Sequence, residues 1–466
     1  MQFQRTCSLP VPAREAMAWH ARPRAFDRLL PQWESVEVDG PARGLELGQE
    51  ILIRIQQGPL RLGWLARIAE LDPERGFVDE QVRGPFARWR HRHSFEPTGD
   101  GSTCRLTDCI EFAPPLGPLG RLFGGALIRS KLERMFTYRH AITRHDLGIL
   151  AAHSTQPPMR ILVSGSTGLV GKPLVSFLSA AGHQVVRLVR STPKGDGEIQ
   201  WNPAAGTLDA AALEGFDGVV HLAGENIAAG RWTAKQKAKI RDSRVDGTGL
   251  LAKALASCTN KPGVFVQASA VGWYGNRGDE VLTEDSQPGT GFLPDTCQAW
   301  EAAAQPLRDA GVRTVALRLG VVLSARGGAL AKMLLPFQLG AGGVIGSGKQ
   351  WMSWVALDDV VAAFHHALVT ESLEGPANLV APAAATNREY TKALGRVLRR
   401  PTIAPLPGFI AKLAFGEMAE DLLLGGQRVR PDALLDSGFR FTWPEVEGAL
   451  RHALGRELPQ PVGAHA

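Results

Sequence analysis

Cysteine is scarce in this chain, and its few copies fit neither a disulfide framework nor a zinc site. None forms a Cys-x-x-Cys pair, and an odd number at scattered spacings argues against both; the five are Cys7, Cys104, Cys109, Cys258 and Cys297. The N-terminus lacks the basic and apolar segments of a secretory signal. No apolar run approaches the ~18 residues that a membrane span requires. We therefore expect a reduced, soluble, cytoplasmic protein with no membrane span.

The chain also lacks a dense run of charge of one sign. Lys and Arg number 52 and Asp and Glu 46, which leaves a formal net charge of +6 spread over 466 residues. A nucleic-acid-binding surface needs its basic residues clustered. The sequence therefore predicts no nucleic-acid partner and points to a small-molecule substrate. It leaves a homodimer open.

What the chain does have is a glycine-rich loop between an apolar run and a helical pattern. Gly165 allows a sharp turn out of a strand, Gly168 removes a side chain where phosphates approach, and Gly171 lets the next helix pack closely on the sheet. The positive end of that helix then faces the ligand. The spacing differs by one residue from the usual dinucleotide fingerprint. We predict that a dinucleotide diphosphate is bound by Gly165, Ser166, Thr167, Gly168, Leu169, Val170 and Gly171.

The residues after the second predicted strand of this half favour NADP(H). NAD-binding sheets place an acidic residue there, which binds the ribose hydroxyls. Here Gln184–Val189 is followed by Arg190 and Ser191, with Lys194 soon after. A guanidinium and a hydroxyl bind a 2′-phosphate through charge-assisted hydrogen bonds, whereas a carboxylate would repel it. We therefore predict that NADPH is preferred to NADH.

The following segments keep a regular alternation of strand and helix. The third strand ends in small residues over which adenine and pyrophosphate can lie, and we include Leu222, Ala223 and Gly224 in the cofactor site. Further segments read as helix, strand, helix and strand at Thr233–Ala256, Val264–Ser269, Gly291–Ala310 and Thr314–Gly320. This order predicts an α/β fold, a Rossmann-like doubly wound parallel sheet.

Before residue 159 the pattern is mostly strand. Phe86–Glu96 and Thr103–Phe112 alternate apolar and polar residues around a turn and predict a hairpin, and a helical pattern follows over Leu122–His145. Antiparallel strands closed by one long helix predict an α+β helix-grip domain. Residues 151–158 are small, polar and Pro-terminated, which is typical of a linker, and we assign the linker to residues 149–158.

Residues 84–95, 107–115 and 135–140 of this first segment resemble the START-like superfamily of the polyketide cyclase/dehydrase and lipid-transport type. The resemblance covers residues 1–148 and implies a hydrophobic-ligand cavity between sheet and helix. His91 and His93 are candidate polar anchors there, or metal ligands. We favour two hydrogen-bonded core histidines, since no carboxylate or cysteine is placed to complete a metal site. No metal is therefore expected.

A longer set of motifs is spread over the second half, at residues 165–171, 201–203, 221–227, 243–245, 269–275, 300–301, 318–323, 354 and 358–359. Together they resemble the extended short-chain dehydrogenase/reductase superfamily, in its NAD-dependent epimerase/dehydratase group. The chain is most similar there to a nucleoside-diphosphate-sugar epimerase subfamily with a short C-terminal extension. The resemblance implies a nucleotide-binding domain over 159–400, the extension over 401–454, a tail over 455–466, and Arg244 in the cofactor site.

Enzymes of this superfamily use a Tyr-x-x-x-Lys pair on the helix after the fourth strand, in which the lysine lowers the pKa of the tyrosine. This chain has Cys297 and Glu301 there instead, on one helical face, although a glutamate raises a neighbouring pKa. Ser269 ends the fourth strand, where the superfamily places a hydroxyl that orients the substrate oxygen. Tyr274 lies just beyond, as a candidate proton donor or substrate contact. We take Ser269, Tyr274 and Glu301 as the candidate catalytic residues.

Two functions of different classes follow. One is an NAD(P)-dependent oxidoreductase or epimerase that transfers hydride. The fusion favours an apolar substrate for it, since a tethered ligand-binding domain raises the local concentration of what it binds. The other is a non-catalytic NADP(H)-binding sensor or scaffold coupled to a lipid-like ligand carrier. The missing pair favours the second function, whereas Ser269 and the loop-rich C-terminal half favour the first.

Overall fold

The computed structural model describes residues 1–39, 44–115 and 117–456. The chain divides into two compact units, one formed mainly by Met1–Gln156 and the other mainly by Pro157–Val175 and His183–Ala453. We call them unit 1 and unit 2. Within the described ranges, no helix is both long enough and apolar enough to cross a membrane.

Unit 1 combines an antiparallel sheet with a long helix. Its strands are Gln2–Leu9 (β1), Ser35–Asp39 (β2), Glu50–Gln57 (β3), Leu60–Asp72 (β4), Gly76–Arg83 (β5), Arg88–Thr98 (β6) and Thr103–Ala113 (β7), and its helices are Ala13–Ala21 (α1), Ala25–Arg28 (α2) and Gly117–Ala152 (α3). The described strands are ordered β1-β7-β6-β5-β4-β3-β2. The predicted α+β helix-grip class is confirmed, and so is the hairpin, which is β6 and β7.

Helix α3 is longer than the sequence pattern predicts. It begins five residues before Leu122 and ends at Ala152, inside the stretch 149–158 that we assigned to a linker. Leu147 is buried in the core of unit 1 and Leu150 packs against that core. Burial of this apolar face holds the last turns in the helix, and the linker assignment of residues 149–152 is therefore wrong.

The alternation of β6 buries Trp89, His91 and Phe95 on one face, as predicted. Asp79 on β5 lies opposite His91 in the sheet, and Asp108 on β7 lies opposite His93. The expectation that no carboxylate accompanies the two histidines is therefore wrong. Neither aspartate is near them in sequence, and only strand pairing brings these residues together.

Unit 2 is built on a mostly parallel sheet. Its strands are Arg160–Ser164 (β8), Gln184–Val189 (β9), Glu198–Asn202 (β10), Thr207–Leu208 (β11), Gly218–His221 (β12), Val264–Ala270 (β13), Val281–Leu282 (β14), Arg313–Leu319 (β15), Val321–Leu323 (β16), Trp351–Met352 (β17), Trp354–Ala356 (β18), Gly375–Leu379 (β19), Ala385–Thr386 (β20) and Arg428–Val429 (β21). The order of the main sheet in the described chain is β11-β10-β9-β8-β12-β13-β15-β19. The order reverses around β8, which confirms the predicted doubly wound class.

The helices of unit 2 follow the predicted alternation. They are Gly171–Ala180 (α4), Ala234–Ala256 (α5), Phe292–Ala302 (α6), Gln305–Asp309 (α7), Gly328–Gln338 (α8), Leu357–Val369 (α9), Asn387–Leu398 (α10), Gly408–Phe415 (α11), Glu417–Ala419 (α12), Asp432–Asp436 (α13) and Val446–Ala453 (α14). The single helix predicted over Gly291–Ala310 is in fact two, α6 and α7. Pro306 explains the break, because proline lacks an N–H and fits only the first turn of a helix.

The core of unit 1 contains one fully enclosed ion pair. Arg28 donates from Nε to Asp146 Oδ2 at 2.8 Å and from Nη2 to Oδ1 at 2.9 Å, and both side chains are buried. We expect Asp146→Ala to lower the free energy of unfolding by about 3–5 kcal/mol, because it removes the carboxylate that pairs with a buried guanidinium. Urea unfolding measures this loss. The matched double variant Arg28→Met/Asp146→Leu should lose far less, and equal losses would contradict the explanation.

His221, at the end of β12, is a buried neutral histidine. Its Nδ1 lies 2.7 Å from Ser164 Oγ, and burial lowers its pKa to about 4. The unfolded chain takes up this proton below about pH 6.5 and the folded chain only below about pH 4, so stability falls as the pH drops through that window. We expect the unfolding free energy of the wild type to fall more steeply there than that of His221→Phe. Parallel pH profiles would contradict this assignment.

Candidate nucleotide-binding and catalytic site

The glycine-rich loop turns directly out of β8. Gly165 has a φ of +65°, and a Cβ there would lie 2.7–2.9 Å from the backbone of Leu222 and Ala223. A Cβ on Gly171 would lie 2.1 Å from the carbonyl oxygen of Gly165. Both positions therefore require glycine, one for its backbone conformation and both for close approach. The loop is consequently held against the segment after β12.

The same loop begins a helix. Gly168 N donates to Gly165 O at 3.0 Å and Lys172 N donates to Gly168 O at 3.1 Å. Ser164 Oγ accepts from Leu222 N at 3.1 Å and joins the two strand ends. The structure thus brings the predicted loop residues 165–171 and 222–224 together at the carboxyl ends of β8 and β12. The N-terminal end of α4 offers its positive dipole at the same place.

Arg190 and Ser191 follow β9 and are exposed. In the part of the chain that the structure describes, Arg190 has no carboxylate partner, whereas Arg187 pairs with Glu198 at 2.5 Å. The strand end therefore presents an available guanidinium and a hydroxyl in place of an acidic residue. This donor set suits a 2′-phosphate and fits the adenosine half of NADP(H).

Arg244, on α5, lies beside the loop after β12. Its guanidinium carbon is 3.2 Å from the position that a Cβ on Gly224 would take, and it lies over the Trp300 ring at 5.0 Å. Its Nη1 donates to Ile240 O at 2.9 Å. Burial lowers the pKa of Arg244, although its charge is retained at neutral pH. The structure therefore places this cation next to the predicted cofactor residues.

The candidate catalytic residues lie in one hydrogen-bonded network. Ser269, near the end of β13, donates from Oγ to Glu301 Oε1 on α6 at 2.5 Å. Arg318 on β15 then clamps the same carboxylate, from Nε to Oε1 at 2.9 Å and from Nη2 to Oε2 at 3.0 Å. The Glu301 side chain is thus held rigidly, and its carboxyl group accepts a hydrogen bond from the Ser269 hydroxyl.

Arg318 is the residue that sequence reasoning missed. Its side chain is 3% exposed, and it lies directly opposite Ser269 in the parallel pairing of β13 and β15. Burial would lower its pKa, but the hydrogen bonds and charge of Glu301 outweigh that effect and raise the pKa of Arg318. A lone arginine within the apolar run Val315–Leu319 was the available signal, because a buried strand rarely holds an unpaired charge.

Tyr274 contacts this network through Arg318. Its side chain is fully buried; the hydroxyl donates to Asn378 Oδ1 at 2.7 Å and accepts from Arg318 Nη1 at 3.0 Å. Burial raises the pKa of Tyr274. A fully enclosed phenol that supports Arg318 is a positioning group in this conformation. Cys297 is also buried, and burial raises the pKa of its thiol to about 12, so it stays protonated at neutral pH.

Three family models match the chain. The polyketide cyclase/dehydrase and lipid transport family matches residues 9–136, and the NAD dependent epimerase/dehydratase family matches residues 161–380. A domain of unknown function, DUF1731, matches residues 406–453. Both resemblances drawn from the sequence are thereby confirmed, and so is the presence of a C-terminal extension. The domain limits that we drew around them stay predictions.

Relatives and solved structures agree with these models. The epimerase family protein MT2273 of Mycobacterium tuberculosis is 44% identical over 296 residues, which cover 64% of this chain and 98% of that protein. A crystal structure of human epimerase family protein SDR39U1 with NADPH is 37% identical, with a TM-score of 0.59 over 63% of this chain and 99% of that chain.

The crystal structure of a nucleoside-diphosphate sugar epimerase from Corynebacterium glutamicum covers both units. It is 34% identical with a TM-score of 0.80, over 98% of this chain and 90% of that chain. This likeness extends through the first segment as well as the second. The chain therefore belongs to the NAD-dependent epimerase/dehydratase family, as a member that has a polyketide cyclase/dehydrase-type domain ahead of its epimerase-type half.

Proposed function

We propose that unit 2 binds NADP(H) and catalyses hydride transfer on a small hydroxyl or carbonyl substrate. The observation that carries this proposal is the network of Ser269, Glu301 and Arg318, which lies on β13, α6 and β15. A relative solved with NADPH supports the choice of coenzyme. The cytoplasmic location and the homodimer left open by the sequence stay predictions.

The coenzyme fits the residues that would hold it. The loop from Gly165 to Gly171 has no side chain at its points of closest backbone approach, and Arg190 and Ser191 would take the 2′-phosphate. When bound, the nicotinamide supplies the hydride acceptor or donor. Leu222, Ala223 and Gly224 would lie along the coenzyme, with Arg244 behind Gly224.

The chain itself handles the proton. A substrate hydroxyl beside Ser269 would give its proton to Ser269 Oγ as the serine proton passes to Glu301 Oε1, 2.5 Å away. Arg318 holds the carboxylate in place and compensates its charge. In the reverse direction the proton returns along the same two atoms. A buried Ser–Glu pair would thus replace the Tyr–Lys pair of the wider superfamily.

Exposed apolar side chains near the loop after β12 support an apolar substrate. Arg231 Nη2 donates to Leu413 O at 2.5 Å on α11, and Lys332 Nζ on α8 donates to Ala228 O at 3.1 Å. These two helices therefore border the segment that follows Gly224. Exposed apolar side chains lie on them at Leu335, Phe409 and Leu413, and directly after α8 at Leu339. Such exposed patches are typical of binding surfaces, and a hydrophobic-ligand domain in unit 1 would supply the substrate.

A non-catalytic NADP(H)-binding module is the second candidate. The observation that favours it is the bidentate clamp of Arg318 on Glu301. Both oxygens of the Glu301 carboxylate already accept hydrogen bonds from Arg318, so a proton would have to compete with the guanidinium for the same lone pairs. A protein that needed only to sense the coenzyme would tolerate that competition.

The first test concerns the coenzyme. We expect Arg190→Ala to weaken NADPH binding about tenfold or more, because one charge-assisted hydrogen-bonded partner of the 2′-phosphate is lost. NADH binding should not change. Isothermal titration calorimetry with both coenzymes measures this, and Arg241→Ala, an exposed arginine on α5, is the matched control. Equal losses for the two coenzymes would refute the assignment.

The second test separates the two candidate functions. The full chain and NADPH are combined with apolar ketones, quinones and nucleotide sugars, and both NADPH oxidation and epimerised product are followed. We expect turnover, with Glu301→Gln and Ser269→Ala slower by about 10²–10⁴-fold at unchanged NADPH affinity. The control is Asp295→Asn, because Asp295 is exposed and lies on α6, the helix that carries Glu301. Tight NADPH binding without turnover on the whole panel would favour the sensor.

A further inference from the structure

Unit 1 contains a cluster of polar side chains that the proposed function does not use. His91 and His93 lie two residues apart on β6, between Asp79 on β5 and Asp108 on β7. His140 on α3 reaches the same cluster, with Nε2 2.5 Å from Asp108 Oδ2. The group therefore lies on the sheet face that α3 covers, beside an apolar cluster, with the half-buried side chain of Arg139 and the buried side chain of His20 close enough to interact with it.

We propose that Asp79, His91 and His93 bind a divalent transition-metal ion, for which Zn²⁺ is the reference. Asp79 Oδ2 lies 3.1 Å from His91 Nδ1 and 3.5 Å from His93 Nε2. Tetrahedral zinc with ligands at about 2.0–2.1 Å holds neighbouring ligand atoms roughly 3.3 Å apart. The two separations from the carboxylate oxygen thus suit one tetrahedral ion, and all three ligand atoms lie within 4.8 Å of one another.

The opposite ring nitrogens have a shared partner. Asp108 Oδ1 lies 2.9 Å from His91 Nε2 and 2.7 Å from His93 Nδ1. Histidines that bind metals usually donate their second N–H to a carboxylate, which fixes the tautomer and the ring orientation. One aspartate would do this for both rings, while His140 donates to its other oxygen. A carboxylate has lone pairs enough to accept all three hydrogen bonds.

Hydrogen bonding alone leaves the cluster incomplete. Among the described residues, His93 Nδ1 is buried and makes no hydrogen bond, although it lies close to Asp108. His93 Nε2 is too far from Asp79 for a good hydrogen bond. A buried polar atom that lacks a well-formed hydrogen bond is costly. An ion at Nε2 would satisfy that atom and fix the hydrogen on Nδ1.

The site would have an open coordination position and an entry path. Two imidazoles and one carboxylate make three protein ligands, the number found in metal sites that keep a position for water or substrate. Of the three proposed ligands, His93 is the one that lines a cleft of about 580 Å³, together with Phe77, Arg92 and Phe95. The fourth ligand would be solvent or a small oxygen-containing molecule that enters through this cleft.

The test uses the full chain, stripped with a chelator and then loaded with Co²⁺ or Zn²⁺. We expect one ion per chain by elemental analysis, visible d–d bands for Co²⁺, and a higher unfolding midpoint with metal present. His93→Gln and Asp79→Asn should weaken binding by at least about 100-fold, and Asp108→Asn by about 10–100-fold. His153→Gln, a histidine of unit 1 outside the cluster, should bind like the wild type.

Two results would overturn the site. One is a folded wild-type chain that retains no Co²⁺ after loading. The other is a His93→Gln variant with wild-type stoichiometry and affinity. An aspartate variant that fails to fold leaves two measurements. They are the metal stoichiometry of the wild type and the metal affinity of His93→Gln, and either one can still overturn the site. NADPH binding is measured in parallel, since it depends on unit 2 and should be unaffected by any of these substitutions.

Discussion

The candidate active site of unit 2 depends on one buried guanidinium. Arg318 would be costly inside an apolar parallel sheet if its charge were not compensated. Glu301 supplies that compensation and accepts two hydrogen bonds from Arg318. The fixed carboxyl group also accepts a hydrogen bond from Ser269 Oγ. Tyr274 accepts a further hydrogen bond from Arg318. Removing the arginine would therefore remove the charge compensation of Glu301 and two of the hydrogen bonds that hold its carboxylate.

A second constraint acts on the coenzyme side of the sheet. The backbone of Gly165 approaches the segment after β12 more closely than any side chain allows. This packing places the loop, the N-terminal end of α4 and residues 222–224 at one edge. The catalytic network follows two strands further on, at the ends of β13 and β15. Parallel strands place both sites on the same edge because their carboxyl ends coincide.

Unit 1 shows the same dependence on strand pairing, with a different outcome. An antiparallel ladder places Asp79 and Asp108 on either side of the two histidines of β6. In unit 2 a buried carboxylate is neutralised by an arginine, whereas here two carboxylates meet three imidazoles. Such a donor set suits a divalent cation as well as a proton network. The two units thus use pairing between distant strands to build polar sites inside apolar cores.

The sequence by itself determined the fold class of both units, the position of the glycine-rich loop and the presence of Arg190 after β9 in place of an acidic residue. Each of these depends on periodicity or on residues close in the chain. It also placed Ser269 at the end of its strand and Glu301 on the helix that follows. Only the tertiary structure decided the hydrogen-bond partners of these two residues, of Tyr274 and of the β6 histidines. Arg318, Asn378, Asp79 and Asp108 come from other strands, and register between strands is fixed by packing and not by local pattern. Helix ends were misjudged for the same reason, since burial of Leu147 extends α3.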